Sequence, residues 1–345
     1  MKMETVYVLG AGASAAAALP GQHVLGNELL RRAFTDMYND DRVKSIKQFV
    51  RDFFRCDVTR EENLPTVEEV LSAVDIALER GEALSVTYTQ ERLQELRRNF
   101  AYLIYLVLDD CYQQLGNDVT QRFVDRLDPS PTIISFNYDV IIDWGLSHRE
   151  RFGRWPDYGI DYRAFKGMYE PPGRSFVAPG VAKLYKIHGS LNWMVCPTCG
   201  VVYAGPPEKG KIVRFTFGGP NPARCAEESH ALLEPLLITP TYLKSYGRPQ
   251  VSLIWQRAER ALRDAQRVVF IGYSLPEADF HIKYLLQKAL FRSPRPKVIV
   301  VDLKQAGVER PTDEETRYKR LFGPEITYYT YGFAQYVDEE MEKNQ

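Results

Sequence analysis

The sequence has 345 residues, 45% of them hydrophobic, and its 44 basic and 45 acidic residues give a net charge of -1. This length can bury a sizeable core, and the balanced charge lacks the basic excess of proteins that hold nucleic-acid phosphates by themselves. Five scattered cysteines exclude a disulfide scaffold, and no uncharged apolar run has the ~18 residues of a membrane span. We therefore expect a soluble cytoplasmic protein with no direct contact to nucleic acid or to a membrane.

Short apolar runs rich in valine and isoleucine recur along the chain and predict buried strands. They are Thr5–Leu9, Thr132–Phe136, Lys183–Ile187, Pro235–Thr239, Arg267–Ile271 and Lys297–Val301, with Ile326–Thr330 as an edge strand. Helical patterns separate the runs, which is typical of a parallel sheet covered on both faces. The sequence therefore predicts an α/β protein with a Rossmann-like parallel sheet and helices on both faces.

Two segments interrupt the predicted sheet. Residues 31–130 have apolar residues at three- and four-residue spacing, so we expect a large helical insertion module. Residues 191–233 are rich in glycine and proline and contain three cysteines, so we expect a small, irregular, Cys-bearing insertion. The predicted Rossmann-type domain then comprises residues 1–30, 131–190 and 234–335.

A glycine-rich loop follows the first predicted strand directly. The pattern G-x-G-x-x-A starts at Gly10: this glycine permits a tight turn, and Gly12 lets a pyrophosphate approach the backbone. The following helix N-terminus supplies N–H groups for an anion. The alternative is a tight turn without a ligand. The candidate cofactor-binding residues of this loop are Gly10, Ala11, Gly12, Ala13 and Ser14.

The region after the loop argues against a hydride-transfer enzyme. A dinucleotide dehydrogenase needs a second strand that ends in Asp or Glu about 20 residues later. Here the pattern is helical, so Glu28 and Asp36 lack a position at a strand end.

Polar residues follow the next predicted strands. Asn137 and Asp139 come after Thr132–Phe136, and His188 comes after Lys183–Ile187. Because ligands of open α/β sheets bind at the carboxyl ends of strands, we expect these side chains in one crevice with the loop. Each has a structural alternative: Asn137 or Asp139 can cap a helix, and a lone histidine is more often structural. Their joint occurrence favours function.

Five pieces in this order resemble the sirtuin-like superfamily: GAGAS, SFNYD, KIHGSLNW, VFIGYSLPEAD and VVDLK. The likeness is greatest to the NAD-hydrolysing, sirtuin-like proteins of prokaryotic antiphage defence. It covers the predicted sheet and leaves the helical insertion unassigned.

The resemblance implies a role for each matching position. The loop would cradle the pyrophosphate of NAD, and Asn137 would position a water or the nicotinamide-side ribose. Asp139 would hydrogen-bond the nicotinamide carboxamide, and His188 would act on the ribose hydroxyls as general base or polar anchor. The remaining candidate cofactor-binding residues are Ser190, Gly272, Tyr273, Ser274 and Asp302, the last of them for the adenosine ribose.

The expected chemistry is cleavage of the nicotinamide–ribose bond. Positive charge builds on the ribose carbon and nicotinamide leaves without a strong acid, so positioning by an amide, a carboxylate and an imidazole suffices. We expect an NAD glycohydrolase that yields nicotinamide and ADP-ribose, as a regulated NAD-depleting effector of antiviral defence. The alternatives are an NAD-dependent protein deacylase or ADP-ribosyltransferase, and a non-catalytic sensor of NAD or ADP-ribose.

The cysteines suggest a zinc site. Cys196 and Cys199 have the C-x2-C spacing typical of zinc, and Cys225 with His230 would complete a Cys3His set. The alternative is a degenerate ribbon without metal. Protein-deacylating sirtuins carry a four-cysteine zinc ribbon and a loop that pairs with the acyl-lysine peptide. The segment EPLLITPTYLKSY does not resemble that loop, so we expect water to accept the ADP-ribosyl group.

An unregulated NAD hydrolase would deplete the cofactor of its own cell, so we expect control through assembly. The apolar stretch Ala101–Leu108 exceeds what one small helical layer readily hides. We therefore expect a homo-oligomer. The resemblance implies in addition that a partner ATPase or helicase or an Argonaute-type protein acts as the trigger. The alternative is a monomer whose inserted helices only shield the site.

Overall fold

The structure is a computed structural model that describes most of the chain. The described residues are 4–16, 28–35, 39–60, 63–111, 117–165, 175–205, 223–227, 231–238, 248–277, 279–291, 294–304 and 312–341. Its strands are β1 (Thr5–Leu9), β2 (Thr132–Ser135), β3 (Tyr162–Ala164), β4 (Lys183–Lys186), β5 (Gly189–Val195), β6 (Val202–Ala204), β7 (Glu234–Leu237), β8 (Arg267–Ile271), β9 (Lys297–Val301) and β10 (Thr327–Tyr329).

The larger sheet is the parallel sheet that the sequence predicts. Six strands of the described chain form it in the order β10-β9-β8-β1-β2-β4, and every neighbouring pair is parallel. Val8 in β1 lies between Ile134 in β2 and Phe270 in β8. These three side chains are at most 1% exposed, because the sheet is covered on both faces. The prediction of β10 as an edge strand is confirmed.

Helices surround this sheet. They are α1 (Ala11–Ala15), α2 (Glu28–Phe34), α3 (Asp41–Phe54), α4 (Val67–Arg80), α5 (Gln90–Cys111), α6 (Asp118–Asp125), α7 (Ile141–Ser147), α8 (Pro249–Asp264), α9 (Phe280–Leu290), α10 (Asp313–Phe322) and α11 (Gly332–Tyr336), with a 3-10 turn at Glu150–Phe152 and a π-helical turn at Val337–Met341. Among the helices of the described ranges, none is both long enough and apolar enough to cross a lipid bilayer.

The helical insertion has a hydrophobic core built mainly from α2 to α5, which Val140, Ile141 and Leu191 outside the insertion also join. Local signals fix its elements: Thr66 and Glu69 form a capping box at the start of α4, and Gly81 ends that helix in the left-handed conformation. The apolar stretch Ala101–Leu108 lies in α5, which packs against α2, α3 and α4. Leu103 and Tyr105 in this stretch are 0% exposed. The expectation that it forms an exposed surface is therefore wrong, because three neighbouring helices bury it.

A second, smaller sheet lies beside the first, in the order β3-β6-β5-β7. The predicted strand Pro235–Thr239 overlaps β7 at Pro235–Leu237, and Thr239 lies outside the described residues. This strand pairs antiparallel with β5 in the smaller sheet rather than joining the parallel one. An apolar run identifies a buried strand without specifying its partner. The domain boundaries proposed from the sequence stay a prediction.

The Cys-bearing segment is more regular than the sequence predicts, because it contains β6 and most of β5. Because β5 contains polar residues, its sequence does not show the apolar pattern of a buried strand, although the whole strand is buried. Ser190 Oγ donates to Asn192 Oδ1 at 2.7 Å, and Asn192 Nδ2 donates to the Gly205 carbonyl at 2.9 Å. Mutual hydrogen bonding thus makes these polar side chains compatible with the interior.

Candidate functional site

The segment Gly10–Ser14, a loop by its sequence pattern, lies at the carboxyl end of β1 in the middle of the parallel sheet, and its residues after Gly10 form the start of α1. The chain continues from β1 to β2 on one side, whereas β8 pairs with β1 on the other side. Such a reversal of strand order opens a crevice at the carboxyl ends, where α/β proteins bind their ligands.

The glycines of the loop permit a close backbone approach to the end of β8. The Gly12 N–H donates to the Gly272 carbonyl at 2.8 Å, and the Gly10 N–H donates to the Ile271 carbonyl at 3.0 Å. A Cβ atom on Gly12 would lie 2.7 Å from the Gly272 Cα, and one on Gly10 would lie 2.6 Å from the Gly272 oxygen. Gly272 itself has a φ of +61°, which favours glycine. Gly10, Gly12 and Gly272 must therefore be glycines because the ends of β1 and β8 pack closely against each other.

A chain of side-chain hydrogen bonds joins the loop to the residues after β2. Asn137 Nδ2 donates to the Gly10 carbonyl and to Ser14 Oγ, each at 2.8 Å. Ser14 Oγ in turn donates to Asp139 Oδ2 at 2.6 Å. Asp139 Oδ1 accepts the N–H of Ile141 at 3.1 Å, at the start of α7. The structure therefore brings Asn137, Asp139 and Ser14 together as the sequence predicts.

Asp139 is a buried carboxyl group with opposing influences on its pKa. Burial raises the pKa above its ordinary value, and this is the largest effect. The charge of Lys186 lowers the pKa, as do the hydrogen bonds from Ser14 and from the Ile141 N–H, whereas the nearby Asp143 raises it. The hydrogen-bond donors and the nearby cation thus stabilise the ionised carboxylate, whereas burial favours the protonated form.

His188 follows β4, the strand next to β2, and its side chain is buried. Its Nδ1 lies 3.1 Å from the Phe136 carbonyl oxygen. Because a carbonyl oxygen only accepts, Nδ1 carries the hydrogen, and in the neutral ring Nε2 is then the basic nitrogen. The rings of Phe136 and Tyr138 lie 6.0 and 6.1 Å from the imidazole. This environment fixes the orientation and the tautomer of the ring.

The residues after β8 lie at the same edge of the sheet. The Tyr273 ring packs edge-on against Phe136, with centroids 4.4 Å apart, and its hydroxyl donates to Asp279 at 2.9 Å. Ser274 is exposed, and its carbonyl accepts two N–H groups from Arg317. Tyr273 therefore borders the aromatic surroundings of the imidazole, and the Ser274 hydroxyl faces outward.

The last two predicted residues have partners within the chain. Asp302, after β9, forms an ion pair with Lys304 at 2.9 Å and accepts the Tyr328 hydroxyl at 3.0 Å. Ser190 lies inside the second sheet, bonded to Asn192, and is 0% exposed. Asp302 thus lies at the edge predicted for a ligand, whereas the Ser190 hydroxyl lies in the second sheet, 3.5 Å from the carbonyl oxygen of Tyr138 in the turn between Asn137 and Asp139.

Two cavities differ in their relation to these residues. A cavity of about 20 Å³ is lined by Ser14, Asn137 and Asp139 together with apolar side chains, and its size suits one water molecule. A cavity of about 880 Å³ lies at the opposite end of the sheet, where β9 begins, and Tyr284 and Phe322 line it. The larger cavity contains none of the predicted site residues.

Comparison with known proteins identifies the family. The SIR2-like domain family matches residues 131–322, more than half of the chain. This chain belongs to the SIR2-like domain family. A comparison with curated proteins finds no match. Among solved structures, the chain is similar to Sir2Tm bound to a propionylated peptide, at 14% identity over 98% of this chain and 92% of that one, with a TM-score of 0.42. It is also similar to Sir2 with a p53 peptide and NAD+, at 13% identity over the same shares, with a TM-score of 0.43.

Three cysteines of this SIR2-like chain form a cluster. Their sulfur atoms lie within 4.8 Å of one another, and those of Cys199 and Cys225 are 3.6 Å apart. Thiolates bound to one tetrahedral zinc at about 2.3 Å each are separated by about 3.8 Å, so the sulfur positions fit zinc. Burial raises the pKa of Cys196, but hydrogen bonds from the Cys199 and Thr198 N–H groups and from the neighbouring thiols outweigh it and lower the pKa to about 7. The fourth predicted ligand, His230, lies outside the described residues.

Sequence reasoning missed a charged group beneath the SIR2-like site. Lys186 and Asp143 form an ion pair at 3.0 Å with side chains 0% and 1% exposed. The Tyr158 hydroxyl donates to the same carboxylate at 2.6 Å. Lys186 stands in the apolar run KLYKI, two residues before His188, and a lysine inside a buried strand is the signal that could have revealed the pair.

Proposed function

We propose that this SIR2-like chain binds NAD in the crevice above β1, β2 and β4 and hydrolyses the nicotinamide–ribose bond. The observation that carries the proposal is the hydrogen-bonded set of Asn137, Ser14 and Asp139 beside the glycine loop. Membership of the SIR2-like domain family supports an NAD-dependent enzyme. The products would be nicotinamide and ADP-ribose.

Asn137 offers one free polar atom to a substrate. Both hydrogens of its amide are engaged, by the Gly10 carbonyl and by Ser14 Oγ. The side-chain oxygen Oδ1 is therefore the atom that can accept a hydrogen bond from a water or from a ribose hydroxyl. A positioned acceptor of this kind orders the nucleophile before the bond breaks, which is a favourable contribution to the rate.

His188 supplies the base in this proposal. With Nδ1–H donated to the Phe136 carbonyl, Nε2 carries the lone pair in the neutral ring. Nε2 would take a proton from a ribose hydroxyl or from the attacking water. The buried, aromatic surroundings of the ring keep bulk water from competing for this nitrogen.

The other candidate residues would bind the rest of the dinucleotide. The segment Gly10–Ser14 and Gly272 would line the pyrophosphate at the start of α1, although the N–H groups of Gly10, Gly12, Ala13 and Gly272 already donate within the chain. Asp139 would accept a hydrogen bond from the carboxamide of nicotinamide, beyond the two that it accepts in the chain. The remaining proposed contacts are Tyr273 and Ser274 for phosphate and ribose, Asp302 for the adenosine ribose, and Ser190 as part of the cofactor-binding set.

An NAD-dependent protein deacylase or ADP-ribosyltransferase is the alternative enzyme, and the cysteine cluster favours it because protein-deacylating sirtuins carry a zinc ribbon. The deciding experiment is chromatography of NAD incubated with the purified chain. Equimolar nicotinamide and ADP-ribose without any peptide support the hydrolase. Nicotinamide that forms only when an acylated peptide or an acceptor protein is added supports a transferase. Tight NAD binding without turnover in either case supports a sensor.

We also propose that the activity is regulated by assembly, as an NAD-depleting effector of antiviral defence. The partners would be a second copy of this chain and an ATPase, helicase or Argonaute-type protein. The burial of Ala101–Leu108 in α5 removes that stretch as the contact surface. Light scattering alongside NAD turnover at several protein concentrations tests the idea. A monodisperse monomer with concentration-independent turnover contradicts it.

A further inference from the structure

A buried ion pair lies directly beneath the proposed NAD site. Lys186, at the end of β4, pairs with Asp143 in α7, and neither side chain is more than 1% exposed. Burying two charges has a large desolvation cost, and well-packed apolar residues often stabilise a fold as much or more. Stability alone is therefore a weak reason for this pair, and its position suggests another reason.

Lys186 reaches the turn that carries the site residues. Besides Asp143, its Nζ donates to the main-chain carbonyl of Asp139. The same turn, between β2 and α7, carries Asn137. Lys186 thus ties the strand that precedes His188 to the segment that presents Asn137, and its cation is bonded to the main chain of the residue that carries the buried carboxyl group.

The direction of the hydrogen bonds above Lys186 depends on the charge of Asp139. A carboxylate only accepts, so the Ser14 hydroxyl must donate to it, as the 2.6 Å contact allows. The lone pairs of Ser14 Oγ then face Asn137 Nδ2, which also donates to the Gly10 carbonyl. This order of donors and acceptors fixes the orientation of the Asn137 side-chain amide. A protonated Asp139 could donate to Ser14 instead, and the constraint on the amide would weaken.

We propose that Lys186 is a positioning residue, which keeps Asp139 ionised and thereby, through Ser14, orients the Asn137 side-chain oxygen toward the substrate. Asp143 balances the charge of Lys186. The kinetic consequence rests on the proposed NAD hydrolysis, whereas the effect on Asp139 does not.

The charged and polar groups around Asp139 give the proposal a definite sign. Among the described residues, Lys186 of β4, Asp143 of α7, Ser14 of α1 and the Ile141 N–H face this carboxyl group. Lys186 lowers the pKa of Asp139 and Asp143 raises it, against a burial effect that is larger than either. Removing the lysine charge must therefore raise this pKa further, and removing the aspartate charge must lower it.

The experiment compares Lys186→Met and Asp143→Asn in the full chain, with kcat and KM for NAD measured across pH. Asn at 143 can still accept the Tyr158 hydroxyl. We expect the acid limb of kcat/KM to move to higher pH in Lys186→Met and to lower pH in Asp143→Asn. In Lys186→Met kcat should also fall, by up to about 10²-fold, with little change in KM, because orientation rather than binding is lost. The matched control is Lys288→Met, which removes an exposed partner of Glu259 and should move neither limb.

General damage to the fold would not move the two limbs in opposite directions. Because protonation of the proposed base His188 would also lower kcat/KM at acid pH, the limbs are compared with the titration of the Asp139 carboxyl group itself, and limbs and titration midpoints that both coincide with those of the wild type would overturn the proposal. If Lys186→Met does not fold because it leaves Asp143 unpaired, the double variant Lys186→Met/Asp143→Asn removes both charges. Its kcat should fall as in Lys186→Met, because the bond from the lysine Nζ to the Asp139 carbonyl is absent from both, and a wild-type kcat would contradict the proposal.

A wild-type chain without NAD turnover would refute the proposed function, and a second readout then decides the inference. The carboxyl carbon of Asp139 is followed by NMR titration of selectively labelled protein, with the signal assigned from its loss in Asp139→Asn. The midpoint should be highest in Lys186→Met, intermediate in the wild type and lowest in Asp143→Asn. Any other order overturns the role of Lys186.

Discussion

Gly12 and Gly272 meet at the edge of the sheet: the Gly12 N–H donates to the Gly272 carbonyl at 2.8 Å, and a Cβ on Gly12 would lie 2.7 Å from the Gly272 Cα. The sequence suggested that Gly12 is small because a ligand approaches it. The structure adds that the chain itself approaches from the other side. A branched side chain at this position would therefore shift the loop as well as occupy the pyrophosphate space.

We predict that Gly12→Ala lowers both the affinity for NAD and the melting temperature, and that Gly12→Val does so more strongly. Crowding of this kind typically costs about 1–3 kcal/mol. Gly205→Ala is the matched control, because its added Cβ would meet its nearest neighbour at 3.7 Å, an ordinary contact. Calorimetry of NAD binding and thermal melts check the result. Normal NAD binding by Gly12→Val would mean that the loop is only a structural turn.

The second prediction concerns the pair proposed for catalysis. Asn137→Ala and His188→Ala should each reduce NAD cleavage by about 10²–10⁴-fold while the protein stays folded. The Asn137→Ala variant lacks the acceptor that orders the nucleophile, and the His188→Ala variant lacks the general base. The matched controls are Asn63→Ala and His148→Ala, whose side chains are exposed. Turnover equal to the wild type in both site variants would remove the assignment.

The parallel sheet and the meeting of Asn137 with the loop follow from local patterns. Apolar β-branched runs predict buried strands, and the rule that ligands bind at carboxyl ends predicts which side chains converge. The second sheet and Lys186 do not follow from such patterns. β5 carries polar residues that satisfy one another, and Lys186 finds its partner Asp143 more than forty positions earlier in the chain. Pairings of this kind depend on tertiary contacts, which a local pattern does not contain.

The third prediction concerns the cysteine cluster. We expect purified protein to contain zinc, bound by Cys196, Cys199 and Cys225 and by His230 as a candidate fourth ligand. Chelation should lower the melting temperature without directly removing NAD turnover, because the cluster belongs to the second sheet and not to the crevice. Cys199→Ser should reduce the zinc content measured by elemental analysis, whereas Cys56→Ser, at an isolated thiol, should not. Protein without zinc would favour a degenerate ribbon.

The last prediction separates stability from function at Asp139. Its pKa in the folded protein is raised above the ordinary value of 3.8, with burial as the main cause. The native state therefore holds a proton more tightly than the unfolded state, so the free energy of unfolding declines as pH rises from 3.8 through the raised native pKa. Asp139→Asn removes this dependence. Relative to the wild type, the variant should become more stable as the pH rises from 3.8 through the raised native pKa, while its NAD turnover falls.

Urea unfolding across this pH range measures the difference, with Asp41→Asn, an exposed carboxyl at the start of α3, as the control. The control removes a carboxyl group whose side chain is 95% exposed. A variant that is less stable than the wild type by the same amount at every pH would mean that the hydrogen bonds of Asp139 to Ser14 and Ile141 outweigh its burial. The expected gain in stability, together with lost turnover, would mean that the buried carboxylate is retained for activity at a cost to the fold.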